Sequence, residues 1–203
     1  MLKSEDIING LQTIVNEYPG VAVAWHVLFY CLIAALTFKW IPSPRSFALI
    51  LALPLLSVAF LAWKTGNPFN GTIFVIAAVL LVIFSFRITS PTVNYSQLPF
   101  VIAGILIVIF GLIYPHFITP DSFLKYLYAS PAGLIPCPTL SVIIGFLLIY
   151  NGLNSAAITM TLIVLGLFYG IFGVLKLGVY LDLVLVAGTV SLLIRFLLSF
   201  GKV

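Results

Sequence analysis

The chain has 203 residues, 63% of them hydrophobic and only 7% charged, with a net charge of +4. A soluble domain needs about 25% charged residues to cover its surface, so these apolar side chains exceed what one aqueous core can hide and the surrounding solvent must be mostly lipid. The basic residues stand singly, which excludes a nucleic-acid-binding stripe, and two cysteines without a Cys-x-x-Cys pattern exclude zinc-finger or cluster ligation.

Residues 1–20 are predicted to form an amphipathic interfacial segment. Ser4 suits an N-cap, Glu5 and Asp6 suit the positive first turn, and Ile7, Ile8, Leu11, Ile14 and Val15 share one face. Pro19-Gly20 should end this helix. Its acids, Glu5, Asp6 and Glu17, argue against a secretory signal.

Residues 21–203 are predicted to form a single all-α transmembrane bundle of about seven spans, six being the alternative. The spans fall near Val21–Phe38, Ser46–Trp63, Asn70–Phe86, Leu98–Tyr114, Leu134–Tyr150, Ser155–Leu175 and Val179–Leu198. Pro42-Ser43-Pro44, Gly66-Asn67-Pro68, Ser90-Pro91 and Asn151-Gly152 interrupt them with fixed φ, missing donors or easy positive φ. Only Lys176-Leu177-Gly178 divides the last two spans, which requires a tight hairpin. Pro54 is expected to kink the second span. Trp40, Trp63, Tyr95, Tyr114 and Tyr150 stand near span ends, where amphipathic rings favour the headgroup level.

With seven spans, Lys39, Arg45, Arg87, Arg195 and Lys202 share one side. Lys3, Lys64, Lys125 and Lys176 share the other with all the carboxylates: Glu5, Asp6, Glu17, Asp121 and Asp182. The basic bias places the N-terminus outside the cell and the C-terminus in the cytoplasm. Arg195 is expected to snorkel to the headgroups. Asp182 reads first as a charge favoured by the N-terminus of the last helix, with a substrate or proton role as the alternative.

The stretch from Tyr114 to Thr139 concentrates polar and helix-breaking residues between two apolar runs. Thr119-Pro120 suits the start of a short surface helix through Phe123, Leu127 and Tyr128. Pro131 to Pro138 suggests a broken or re-entrant segment, which survives at membrane depth only when buried in protein or lining a wet cavity. Candidate ligand- or solute-binding residues are His116, Asp121, Cys137, Thr139 and His26. Cys137, between two prolines, is either a rigidly presented thiol or a small buried hydrophobe. Thr139 most simply satisfies a free backbone amide where the fifth span opens. His26 lies in an apolar run, about one turn deep. His26, His116, Asp121 and Cys137 fall near one membrane face, so a copper or haem site is conceivable, although no ligand-spacing motif supports one and no cofactor is assigned. A disulfide between Cys31 and Cys137 is disfavoured by their depths.

Gly166 and Gly170 form a GxxxG continued by Gly173, a helix-packing face for use inside the bundle or between protomers. No Ser/His/Asp arrangement, HExxH, phosphate loop or paired carboxylate is present, so no catalytic residue is assigned.

Asn67-Pro68, Tyr114-Pro115, Pro136-Cys137-Pro138-Thr139 and Gly178 … Asp182-Leu183 … Gly188 occur in that order. This pattern resembles a family of small polytopic prokaryotic membrane proteins of unknown function, marked by a Pro-Cys-Pro-Thr segment. A second threonine often follows in that family, where this chain has Leu140. The resemblance implies a multi-pass protein of the prokaryotic inner membrane and supplies no activity. Two function classes stay open. One is a transporter, channel or sensor for a small solute or metal, using an extracytoplasmic cleft. The other is a structural or accessory subunit of a membrane complex or homo-oligomer. A haem- or copper-binding protein is a third.

Overall fold

The computed structural model describes residues 4–38, 40, 42–118 and 123–200, and among these every regular element is helical. In chain order the helices are α1 (Ser4–Glu17), α2 (Pro19–Thr37), α3 (Pro44–Lys64), α4 (Pro68–Ser85), α5 (Leu98–Ile113), α6 (Lys125–Ala129), α7 (Pro136–Ile149), α8 (Ala156–Leu177) and α9 (Leu183–Phe200). Single 3-10 turns occupy Asn151–Asn154 and Tyr180–Asp182.

The helix boundaries follow local chemistry. Pro19, Pro44, Pro68 and Pro136 each take the first helical position, where a missing N–H costs nothing and the fixed φ suits the helix. Side-chain oxygens of Ser43, Asn67 and Ser155 accept from the N–H groups of Ser46, Asn70 and Ile158. Pro19 therefore opens α2 directly after Tyr18 as well as ending α1. Gly178 closes α8 with φ of 70°, a left-handed cap that glycine adopts without steric cost. That cap and the Tyr180–Asp182 turn make the tight hairpin before α9.

All seven expected apolar runs are helical. Five helices are long and apolar enough to cross a membrane: Pro19–Thr37, Pro44–Lys64, Pro68–Ser85, Ala156–Leu177 and Tyr180–Ser199. Leu98–Ile113 and Pro136–Ile149 are shorter, at 16 and 14 residues. They rise only about 24 and 21 Å at 1.5 Å per residue, against a hydrocarbon layer of about 30 Å. Val27, Phe60, Ile76, Leu106, Val164 and Leu197 point outward and are exposed. Apolar side chains on the outer faces of so many helices suit contact with lipid.

The short helix α7 sits at the centre, with Thr139–Leu148 buried throughout. Its approach to α5 is set by glycine. A Cβ on Gly145 would meet the Gly104 carbonyl at 2.7 Å and the Val108 N at 2.9 Å, and one on Gly111 would meet the Pro138 carbonyl at 2.8 Å. The two backbones touch, which is how small residues drive helix association without a hydrophobic force. The glycine face of α8 is used in the same way within the chain. Gly166 receives Thr189, Gly170 receives Val186 and Gly173 receives Asp182.

Ser130–Ile135, before α7, is non-helical and buried, as a broken segment at membrane depth requires. Gly133 turns it with φ of 83°, and the Trp25 ring lies where a Cβ would be. The helix α3 runs unbroken through the buried Pro54.

Three expectations are corrected. Tyr114 and Tyr150 do not face outward as amphipathic surface rings but are buried in the protein, while Trp40, Trp63 and Tyr95 are exposed. The apolar face of α1 does not lie free for lipid, because Leu11, Ile14 and Val15 pack with Leu61, Tyr114, Phe117 and Leu134 at one end of the bundle. Ser4 donates its hydroxyl to the Lys176 carbonyl at the end of α8 at 3.0 Å, so this side chain ties α1 to the bundle. Arg195 does not snorkel. It is buried and donates to the Asn151 side-chain oxygen. Asn151, Gly152, Leu153 and Asn154 all have positive φ, a tight left-handed reversal that aims the Asn151 amide at the guanidinium.

Candidate functional site

The α1 end of the bundle holds a cleft of about 130 Å³, close to the size that admits one benzene-sized molecule (~150 Å³). Ile7 and Leu11 of α1 form its cover. Phe69, Phe168 and Phe172 give apolar walls, and Asn70, Cys137, Tyr169 and Asp182 supply the polar groups. A second space of about 150 Å³ adjoins it under the same helix, sharing Ile7, Leu11, Asn67, Asn70 and Pro136.

Each polar group is held from behind. Asp182 ends the Tyr180–Asp182 turn, is 2% exposed, and accepts from the Tyr114 hydroxyl at 2.7 Å. The Cys137 thiol lies within hydrogen-bonding reach of the same carboxylate and 3.9 Å from the Tyr169 carbonyl. Gly173 makes room, since any Cβ there would overlap the Asp182 carboxylate. Across the cleft the Tyr169 hydroxyl donates to Asn70 Oδ1 at 3.0 Å. No lysine, arginine or histidine lines the cleft among the described residues. The site therefore presents one carboxyl group, amide and phenol groups, and aromatic walls. Such a set can hold an amphipathic molecule with a polar, donor-bearing head.

The residues singled out from sequence separate in space. Cys137 reaches the cleft. Thr139 does not; its Oγ1 accepts from the Gly133 N–H at 2.8 Å and donates to the Ile135 carbonyl at 2.6 Å. It thus satisfies a free amide of the broken segment, as expected. His26 is 1% exposed, and its ring nitrogens face the Ala22 carbonyl at 2.8 Å and the Leu112 carbonyl at 3.0 Å, with Ser130 Oγ at 3.3 Å. The ring clamps α2 to the end of α5. His116 sits edge-on to Phe117, 4.2 Å between ring centres, outside the cleft lining. Burial lowers its pKa below the ordinary histidine value. Asp121 lies outside the described residues. Among those described, no three of His, Cys, Asp and Glu gather where a metal ion could sit, so the copper or haem arrangement finds no ligand cluster there. Cys31 and Cys137 are both free thiols.

Asn70, Tyr169 and the walls Phe69, Phe168 and Phe172 carry no sequence signal of function, because such residues are ordinary in apolar helices. Asp182 did carry one, as a lone acid opening an apolar run. The chain matches none of the family models, curated proteins or solved structures with which it was compared.

Proposed function

We propose that this chain is a multi-pass membrane protein that binds a small amphipathic solute bearing a cationic amine in the cleft beneath α1, as a transporter, channel or sensor. One observation carries the reading: the Asp182 carboxyl is buried at the wall of an apolar cleft with no basic residue in the lining. A buried carboxylate is costly unless paired, and an ammonium group would pair it while its apolar body meets Phe69, Phe168 and Phe172.

Seven crossings belong to this reading, with α7 completing its path through Ser130–Ile135. So does an inner-membrane location with the α1 end extracytoplasmic, supported by the bias in basic residues. The resemblance to the Pro-Cys-Pro-Thr family is kept as a further part. Asn67, Tyr114, Pro136, Cys137 and Asp182, which carry it, meet at or directly behind this cleft. The accessory-subunit alternative loses its main surface, because the Gly166, Gly170 and Gly173 face is already covered by Asp182, Val186 and Thr189.

The test compares benzylamine with benzyl alcohol, a near-isosteric neutral probe, on the heat stability of the purified full chain. The amine should raise the melting temperature more than the alcohol, and Asp182→Asn should erase the difference. Equal shifts in the unaltered chain would refute the reading.

A further inference from the structure

Arg195 follows Asp182 by thirteen residues, so it stands about 20 Å farther along the bundle at 1.5 Å per helical residue. At that opposite end a second cleft, of about 290 Å³, opens between the α7–α8 turn and the last turns of α9. Asn151, Asn154, Ser155, Thr159, Arg195 and Ser199 line it. The arginine is only 8% exposed, and among the described residues its side chain donates to a neutral amide oxygen on Asn151.

A guanidinium withdrawn from water needs a counter-charge, and among the described residues no carboxylate lines this cleft. The chain has five acids. Glu5, Asp6 and Glu17 lie on α1 and Asp182 in the α1 cleft, all at the far end. Asp121 lies outside the described residues. Three of the other polar groups have their hydrogens committed. Thr159 donates to the Ser155 carbonyl, Ser199 to the Phe196 carbonyl, and the Asn154 amide to Ser90 and Thr92. What the cleft still offers, besides the Ser155 hydroxyl hydrogen, is the remaining N–H groups of Arg195 and the N-terminal turn of α8, which opens beside it at Ser155 and Ala156. Both favour an anion that only accepts hydrogen bonds.

We propose that this cleft binds a phosphate group through Arg195, with the first turn of α8 supporting it. The same chemistry is presented by a phospholipid headgroup and by free phosphate. This site is independent of the solute cleft beneath α1.

The full chain, purified in a neutral glycoside detergent and stripped of lipid, is titrated with inorganic phosphate, with dioctanoylphosphatidylglycerol and with phosphate-free dioctanoylglycerol, and heat stability is recorded. A phosphate-bearing probe should raise the melting temperature and dioctanoylglycerol should not. A response to the phospholipid alone assigns the site to a headgroup; a response to inorganic phosphate as well assigns it to free phosphate. Arg195→Gln should weaken the apparent affinity by roughly tenfold or more, the loss expected for a charged hydrogen-bonding partner. Ser199→Glu, one helical turn along α9, supplies the guanidinium with a carboxylate. It should fold and lose the response, which keeps the test decisive if Arg195→Gln fails to fold. No response to either phosphate probe in the unaltered chain, or an equal response in either variant, overturns the proposal.

Discussion

The Tyr114 hydroxyl donates to the Asp182 carboxyl at 2.7 Å across 68 residues of sequence. It joins the end of α5 to the turn before α9 behind the α1 cleft. Both side chains are buried, at 0% and 2% exposure, so the bond is shielded from competing water. Tyr114→Phe keeps the ring and its contacts with Phe110 and Phe117 while removing the donor. Leaving a buried acceptor short of a partner costs about 1–3 kcal/mol. A fall of that size in denaturation of the purified protein is expected, whereas an unchanged melting temperature would show that the bond carries no stability.

The contact between α5 and α7 predicts a sharp contrast among glycines. Gly145→Val forces a branched side chain into the Gly104 carbonyl and should cost at least about 1–3 kcal/mol, as overpacking does. Gly10, on α1, has open space where its Cβ would go. Gly10→Ala should therefore stabilise by about 0.5–1 kcal/mol through reduced freedom of the unfolded chain. Comparing the two melting temperatures in one detergent checks both signs.

Thr139 holds the broken segment by giving one hydrogen bond and taking another. Thr139→Val preserves shape and removes both, with an expected loss of about 1–3 kcal/mol. Thr139→Ser should retain most of the stability. Equal losses in the two variants would assign the effect to packing instead.

His116 gives a pH dependence. Burial lowers its folded-state pKa, so between that lowered value and the unfolded value of about 6.5 the unfolded chain binds more protons. Stability should fall as pH drops from about 6.5 and level off below the folded value. His116→Gln should flatten the profile in that window, read by melting temperature from neutral to acid pH. An identical profile in the variant would rule His116 out as the source.

The bundle was legible in the sequence because its apolar composition suits helices in contact with lipid and because prolines mark the helix starts. The bounds of α1, the buried break before α7 and the task of Thr139 follow from local chemistry, where neighbours in sequence are the partners. The cleft was not legible. Asp182 reads as a helix-dipole charge until Tyr114, Cys137 and Gly173, from three separate elements, are brought around it. Gly104 and Gly145 lie on different helices and form no motif, though their backbones touch. Arg195 looks like a snorkelling residue because nothing near it in sequence announces the left-handed turn that presents Asn151, 44 residues earlier.

The most direct test of a solute site at Asp182 uses the thiol beside it. In protein carrying Cys31→Ser, Cys137 is the only thiol, and its alkylation by N-ethylmaleimide is timed with and without benzylamine. Benzylamine is predicted to slow the reaction in this protein and to lose that protection when Asp182→Asn is added. Equal alkylation rates with and without the amine, at concentrations that saturate any effect on heat stability, would contradict a solute site at Asp182.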